Sequence, residues 1–282
     1  MKDNLLEVHD LRISFRIGGL VSRPVRGVSF SIPRRGKVAL VGESGSGKSL
    51  TALAIGSLVD RAEITGTIEG KAKIAYIFQN PMQSLNPVIK VGAQIQEGTS
   101  IGEVTQLLRE VSLPPETAKK YPCQLSGGQQ QRVMIAMALA QKPDLLIADE
   151  PTTALDVTTQ KEVLDLIDRL AEERGMSVLF ITHNLGLVKA HSQFVNVMYA
   201  GEIVESGKVD EVLLRPRHPY TQGLIAAVPR LDQPLNTKLN DIPGSVPPPT
   251  AWPKGCAFNP RCPFAVESCR QEDFVCYKMS QS

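Results

Sequence analysis

An α/β fold with a mixed, mainly parallel sheet, an inserted helical subdomain and a small cysteine-containing C-terminal extension is what this sequence predicts. Three observations carry the expectation. Short apolar runs rich in β-branched residues alternate with helical stretches, the pattern of a sheet covered by helices. A glycine-rich loop joins one such run to the helix after it. The stretch between Gln79 and Leu125 has no core strand, and helical spacing appears within it at residues 102–111.

Taken in order, strands are expected at residues 6–9, 28–32, 37–41, 74–78, 145–148, 178–181 and 195–199. Strands covered by helices on both faces read as near-continuous apolar runs, and several of these do. Helices are expected at 49–58, 128–141, 158–173 and 185–190. After about residue 230 the composition changes: Pro243, Pro247, Pro248, Pro249 and Pro253 mark an irregular linker. Proline removes a backbone donor and fixes φ, so neither ladder nor helix continues through it. The expected organisation is a first domain over 1–230, with the helical subdomain at about 80–142, followed by an extension over 231–282.

The 282 residues are 42% hydrophobic and 21% charged, ordinary for a globular protein rather than a disordered one. The 31 basic and 29 acidic residues leave a formal charge of +2 with no basic block, which argues against a nucleic-acid partner. The longest apolar run, residues 133–140, is far short of the roughly 20 residues of a transmembrane helix. Residues 1–10 carry Asp3 and Glu7 and lack the apolar core of a signal peptide. The expected location is the cytoplasm, with any membrane role arising through a partner.

Gly42-Glu43-Ser44-Gly45-Ser46-Gly47-Lys48-Ser49 fits G-x-x-x-x-G-K-[ST] at every fixed position, between an expected strand and an expected helix. A chance glycine-rich turn would lack that setting. The glycines let backbone N–H groups turn inward, and the helix N-terminus adds its positive end, so the loop can hold polyphosphate. Lys48 should reach the β- and γ-phosphates and the Ser49 hydroxyl should ligate Mg²⁺. Leu50 completes the run assigned to the nucleotide.

Leu145-Leu146-Ile147-Ala148-Asp149-Glu150 reads as a buried strand ending in two acids. Asp149 suits the surroundings of Mg²⁺, and Glu150 could polarise a water against the γ-phosphate, a positioned base being worth about 10²–10⁴-fold in rate. His183 follows the apolar run 178–181, at the edge of a parallel sheet where ligands collect. Taken alone, a histidine there reads as structural.

Leu125-Ser126-Gly127-Gly128-Gln129 stands just before a helix, with Gln79 upstream and the two acids downstream. The order is phosphate loop, glutamine, Ser-Gly-Gly-Gln, acidic strand, Ala154-Leu155-Asp156, then histidine. Over residues 15–183 it resembles the ATP-binding-cassette ATPases, a family of phosphate-loop NTPases. The resemblance implies ATP and Mg²⁺ as cofactors, ATP hydrolysis as the activity, and Lys48, Gln79, Glu150 and His183 as the catalytic set. Phe15 would stack on adenine. Gln79 would touch Mg²⁺ or the attacking water and sense a transmembrane partner. Ser126 and the backbone of Gly127 and Gly128, with Gln129 beside them, would donate to the γ-phosphate of an ATP held by the opposite subunit. Asp156 would lie at that interface, and His183 would contact the γ-phosphate.

Three further strings resemble the dipeptide, oligopeptide and nickel importer branch: Phe78–Pro87, Arg217-His218-Pro219-Tyr220-Thr221, and Cys256-Ala257-Phe258-Asn259-Pro260-Arg261-Cys262-Pro263 with Cys269 and Cys276 after it. The branch implies two transmembrane permease subunits, a second ATPase subunit (identical or a paralogue) and an extracytoplasmic solute-binding protein. The chain would sit peripherally on the cytoplasmic face of the membrane. Four thiolates at Cys256, Cys262, Cys269 and Cys276 fit a four-iron four-sulfur cluster or Zn²⁺, with thiols that hold no metal as the third reading. Some relatives in the branch carry the cluster, whereas gaps of five, six and six residues are wide for structural zinc. Cys123 is expected to pack rather than ligate.

The sequence departs from the branch in a short 66–74 segment, a short 45-residue helical region between Gln79 and Leu125, Asn184 where aspartate is common, and a short last cysteine gap. Two other readings remain. A soluble cassette ATPase acting on ribosomes or DNA would ordinarily carry two cassettes or a basic arm. A regulatory iron–sulfur protein without turnover would not need Glu150 and His183.

Overall fold

The computed structural model describes residues 3–153, 155–228 and 241–271. Nine strands and nine α-helices are described, divided between two compact units that interleave along the chain.

Among the described residues, the first unit comprises 3–5, 32–37, 71–153 and 155–180. Its centre is β6 (Leu145–Asp149), buried at all five residues as an uninterrupted apolar run demands. β5 (Ile74–Ile77) lies parallel to it, with Ile74 opposite Leu145 and Ile77 opposite Ala148. β7 (Ser177–Thr182) is equally buried. The region expected to be helical contains α2 (Pro81–Ser84), α3 (Val91–Gln96) and α4 (Ile101–Glu110), then two short 3₁₀ turns.

Two longer helices follow. α5 (Gly127–Ala140) is capped by Ser126, and α6 (Val157–Arg174) by Asp156. α6 buries Val163, Leu164, Ile167, Leu170 and Ala171, the one-sided spacing of a 3.6-residue repeat, and ends at Gly175, whose φ of 66° is the usual glycine stop. Lys37 Nζ forms ion pairs with Asp168 at 2.7 Å and Glu172 at 3.0 Å in the last turns of α6.

Among the described residues, the second unit comprises 6–31, 38–70, 181–228 and 241–271. β1 (Asn4–Ile17), β2 (Leu20–Pro33) and β4 (Glu63–Glu69) form a three-stranded sheet in the order β2-β1-β4. β1 and β4 are antiparallel, from Glu7 opposite Glu69 to Ser14 opposite Glu63, with an irregularity between His9 and Arg12. The strand before the phosphate loop, β3 (Lys37–Val41), runs parallel to β8 (Phe194–Tyr199), and β9 (Glu202–Lys208) returns antiparallel to β8. α1 (Lys48–Ile55) follows the loop; α7 (Leu185–His191), α8 (Val209–Leu214) and α9 (Pro219–Ala226) complete the unit. Val41, Val197, Tyr199, Tyr220 and Phe258 share its buried core, so the described part of the C-terminal extension packs into the same core as the strand that launches the loop.

Every expected strand and helix is present, and β1 and β2 run much further than the short segments expected. β4 and β9 were not expected. All seven residues of β4 are exposed, so no buried face marks its sequence. α2, α3 and α8 have six residues or fewer, too short to show a helical period, and α9 was not expected either. Cys123 corrects an expectation: it is exposed, on the 3₁₀ turn Pro122–Gln124, and not a packing residue. No helix of the described residues is long and apolar enough to cross a membrane.

Candidate nucleotide site

The phosphate loop lies within the second unit. A Cβ at Gly42 would run into the Met198 carbonyl oxygen, so only glycine lets the chain leave β3 in this direction. Gly47 adopts φ 101° and a Cβ there would stand 2.6 Å from the Pro24 carbonyl oxygen. Ser46 is fully buried, and its carbonyl accepts from Gly201 N–H at 2.9 Å. Lys48 opens α1 and is buried; its Nζ donates to the carbonyls of Gly42 at 2.8 Å and Glu43 at 2.9 Å. The ammonium is thereby fixed beneath the loop. Ser44, Gly45 and Ser49 are exposed, Leu50 half-buried. Gly47 caps α1 without a side-chain bond and no acid occupies the first turn, which leaves the positive end of the helix unneutralised. Phe15 lies half-buried near the end of β1, and His183 is exposed just after β7. Asn184 caps α7 by accepting from Gly186 N–H at 3.0 Å.

The acidic residues lie within the first unit. Asp149 is buried at the tip of β6 and accepts from the Tyr76 hydroxyl at 2.8 Å. Burial first, and the Asp149 charge second, push the Tyr76 hydroxyl well above its ordinary pKa, so it stays a donor. Glu150 turns out of the strand with φ 45°, a backbone conformation that non-glycine residues rarely adopt and that collects at functional positions. Its carboxylate accepts from Gln79 Nε2 at 3.0 Å and Thr153 Oγ1 at 2.8 Å. The structure therefore brings together the expected glutamine and the expected base, residues 71 positions apart in sequence. Tyr76 and Thr153, which hold the two acids, were not singled out from the sequence.

The Ser-Gly-Gly-Gln turn is a capping box. Ser126 Oγ accepts from Gln129 N–H at 3.3 Å, and Gln129 Oε1 accepts from Ser126 N–H at 3.1 Å. The serine hydroxyl keeps its own O–H as a donor. Gly127 is exposed, and a Cβ on Gly128 would come 2.6 Å from Thr159 Cγ2, so the glycine permits α5 and α6 to approach. Asp156 caps α6, accepting from Thr159 N–H at 3.0 Å and Thr159 Oγ1 at 2.7 Å. Those bonds, the backbone one foremost, hold its carboxyl below the usual range.

In the extension, Cys256, Cys262 and Cys269 are half-buried, and Cys256 N–H donates to the Cys269 carbonyl at 2.9 Å. Burial is the main cause that pushes the Cys262 thiol up. Among the described residues no group of three or more His, Cys, Asp or Glu side chains is placed to hold a metal ion, so the iron–sulfur and zinc expectations gain no support there. Cys276 lies outside the described residues, as do the first positions of the extension.

Residues 25–153 match the family described as ABC transporter, and residues 204–269 match the oligopeptide/dipeptide transporter C-terminal region. The chain is 43% identical over 296 residues to a putative peptide import ATP-binding protein of Brucella abortus, covering 94% of this chain and 89% of that one. It is 46% identical over 307 residues to another of that description from Brucella ovis, covering 94% and 91%.

The chain belongs to the ABC transporter family. Solved cassettes agree. A dimeric ATP-binding cassette bound to ADP and phosphate in a post-hydrolysis state superposes with TM-score 0.64 at 26% identity, over 72% of this chain and 98% of that one. The cbiO1 subunit of an ABC transporter complex from Clostridium perfringens shares the fold, with TM-score 0.66 at 24% identity over 76% and 92%. This cassette is accordingly an ATPase with the phosphate-loop α/β fold and a mixed, mainly parallel sheet. Its motifs fall on the loops and helix starts described above.

Proposed function

We propose that this cassette powers import of peptides or a related small solute, as a peripheral subunit on the cytoplasmic face of the membrane. The observation that carries the reading is the pairing of an ATPase cassette with the oligopeptide/dipeptide C-terminal region in one chain. The relatives described as peptide import proteins match nearly the full length of both chains.

Lys48 and the inward N–H groups of the loop bind the β- and γ-phosphates, and Phe15 stacks on adenine. The Ser49 hydroxyl, the Asp149 carboxylate and the Gln79 amide oxygen are hard oxygen donors of the kind Mg²⁺ requires. Mg²⁺ neutralises charge on the phosphates when bound. Glu150 is the general base. Its carboxylate is already oriented by Gln79 and Thr153, so it meets a water without first being ordered. His183 steadies the γ-phosphate. Ser126, Gly127, Gly128, Gln129 and Asp156 face the nucleotide of a second ATPase subunit, so closure of the pair depends on ATP and hydrolysis reopens it. Two permease subunits receive that motion through the helices after Gln79, and an extracytoplasmic binding protein delivers the solute.

The test is uptake by the complex reconstituted in lipid vesicles with its permeases and binding protein. Peptide accumulation that requires enclosed ATP is the expected result. ATP hydrolysis stimulated by no peptide-loaded binding protein would direct the reading to another solute.

A further inference from the structure

The second residue of the phosphate loop is an acid, an unexpected choice for a loop that must hold a polyanion. Glu43 is clamped at three points. Its N–H donates to the Tyr220 hydroxyl at 2.8 Å, its carbonyl accepts from Lys48 Nζ at 2.9 Å, and its carboxylate meets Arg261. That last contact is bidentate: Nη1 to Oε2 at 2.6 Å and Nη2 to Oε1 at 3.0 Å. Two-nitrogen Arg–carboxylate pairs are the strong, directional kind.

Arg261 itself is not free to wander. Its side chain is only 5% exposed. Nε donates to the Pro243 carbonyl at 2.8 Å and Nη2 to the Ile242 carbonyl at 3.0 Å. The guanidinium lies over the rings of Tyr199 at 5.7 Å and Phe258 at 6.0 Å. All of these residues belong to the second unit, and the arginine reaches the loop from 218 positions downstream. Tyr220 is set in turn by His218, whose Nδ1 accepts from Tyr220 N–H at 3.1 Å, while Glu205 accepts from the N–H groups of Arg217 and His218 at 2.9 and 3.0 Å. The Arg-His-Pro-Tyr-Thr string and the Asn-Pro-Arg turn thus converge on a single loop residue.

We propose that Arg261 is a positioning residue of the nucleotide site: it neutralises Glu43 and draws its carboxylate aside, so the C-terminal extension sets the affinity of the phosphate loop for ATP. This rests on the reading of the loop as the ATP site. Without the arginine, a carboxylate anchored within the loop repels the incoming triphosphate. The Lys48 ammonium, bonded to the same residue's carbonyl, shares its field with an uncompensated acid.

The experiment is equilibrium binding of MgATP to the full chain, read with a fluorescent ATP analogue and competition by ATP, for the wild type, Arg261→Gln, Arg261→Lys and Glu43→Gln/Arg261→Gln. Glutamine keeps a donor for the nearby carbonyls and removes the charge. Arg261→Gln should weaken ATP binding by about tenfold, the order of one partly screened like-charge contact, with KM for ATP rising and kcat holding within about twofold. Arg261→Lys should lose less, and the double variant should recover to within about threefold of wild type because no stranded acid remains. Unchanged affinity in Arg261→Gln overturns the proposal, and so does a loss that persists in the double variant, which would mark a purely structural role. Should Arg261→Gln fail to fold, Arg261→Lys carries the test: a loss of about threefold that Glu43→Gln relieves is expected, and no loss overturns it. A wild-type chain that binds no ATP would sink the nucleotide-site reading instead, a result separate from every one of these.

Discussion

Lys48 Nζ is bonded to the Gly42 and Glu43 carbonyls, and the proposed function gives the same ammonium the β- and γ-phosphates of ATP. Lys48→Ala should therefore lower ATP affinity by about 10²-fold, the scale of lost charge-assisted bonds, and lower stability by about 1–2 kcal/mol because two loop carbonyls lose their donor; a fluorescent-nucleotide titration beside urea denaturation checks both. Gly42→Ala should do the reverse in proportion. Its Cβ meets the backbone of Met198 rather than a movable side chain, so unfolding free energy should fall by about 2–4 kcal/mol, measured by urea denaturation. At this scale the sequence was legible where the structure is local: the fixed spacing of glycines and lysine announced a loop between β3 and α1 in which Gly42 and Gly47 exclude a Cβ. It was not legible where a partner comes from far along the chain. Nothing near Glu43 announces Tyr220, 177 positions on, or Arg261, and nothing near Asp149 announces Tyr76, 73 positions before it.

Elements repeat the contrast. α6 declares itself through its cap and apolar spacing, α5 through its cap and a nearly continuous apolar run, and β6 through an unbroken buried run. β4 escapes notice because a strand with both faces exposed has no period of burial to read, and α3 because six residues make less than two turns. The meeting of α5 with α6 at Gly128 yields a prediction of its own. Gly128→Ala presses a methyl towards Thr159 Cγ2, so it should destabilise by about 1–2 kcal/mol and slow hydrolysis. Thr159→Ser removes that methyl and keeps the hydroxyl that bonds Asp156 at 2.7 Å. Adding it should restore most of the loss in both chemical denaturation and ATPase assays. A second change that restores nothing would show that the contact is not the cause.

Across the whole molecule, two tyrosines, the buried Tyr220 and the half-buried Tyr76, give stability a pH limit. The Tyr76 and Tyr220 hydroxyls lie above their ordinary pKa of 10.0, burial being the largest cause for each. A folded-state pKa raised in this way leaves its stabilisation whole below the unfolded value and erodes it as pH climbs towards the folded one. Stability should hold to about pH 9.5 and then fall by up to about 1.4 kcal/mol per pH unit for each tyrosine, a slope that Tyr76→Phe and Tyr220→Phe should flatten in urea unfolding from pH 8 to 11. Hydrolysis is the larger claim, and it rests on the carboxylate that Gln79 and Thr153 hold ready at φ 45°. Its most direct test is Glu150→Gln incubated with MgATP, with phosphate release and molar mass in solution measured on one sample. ATP should be bound, phosphate release should fall by at least about 10²-fold, and the chain should run at twice its monomer mass. A monomer that turns over ATP at the wild-type rate would contradict the claim.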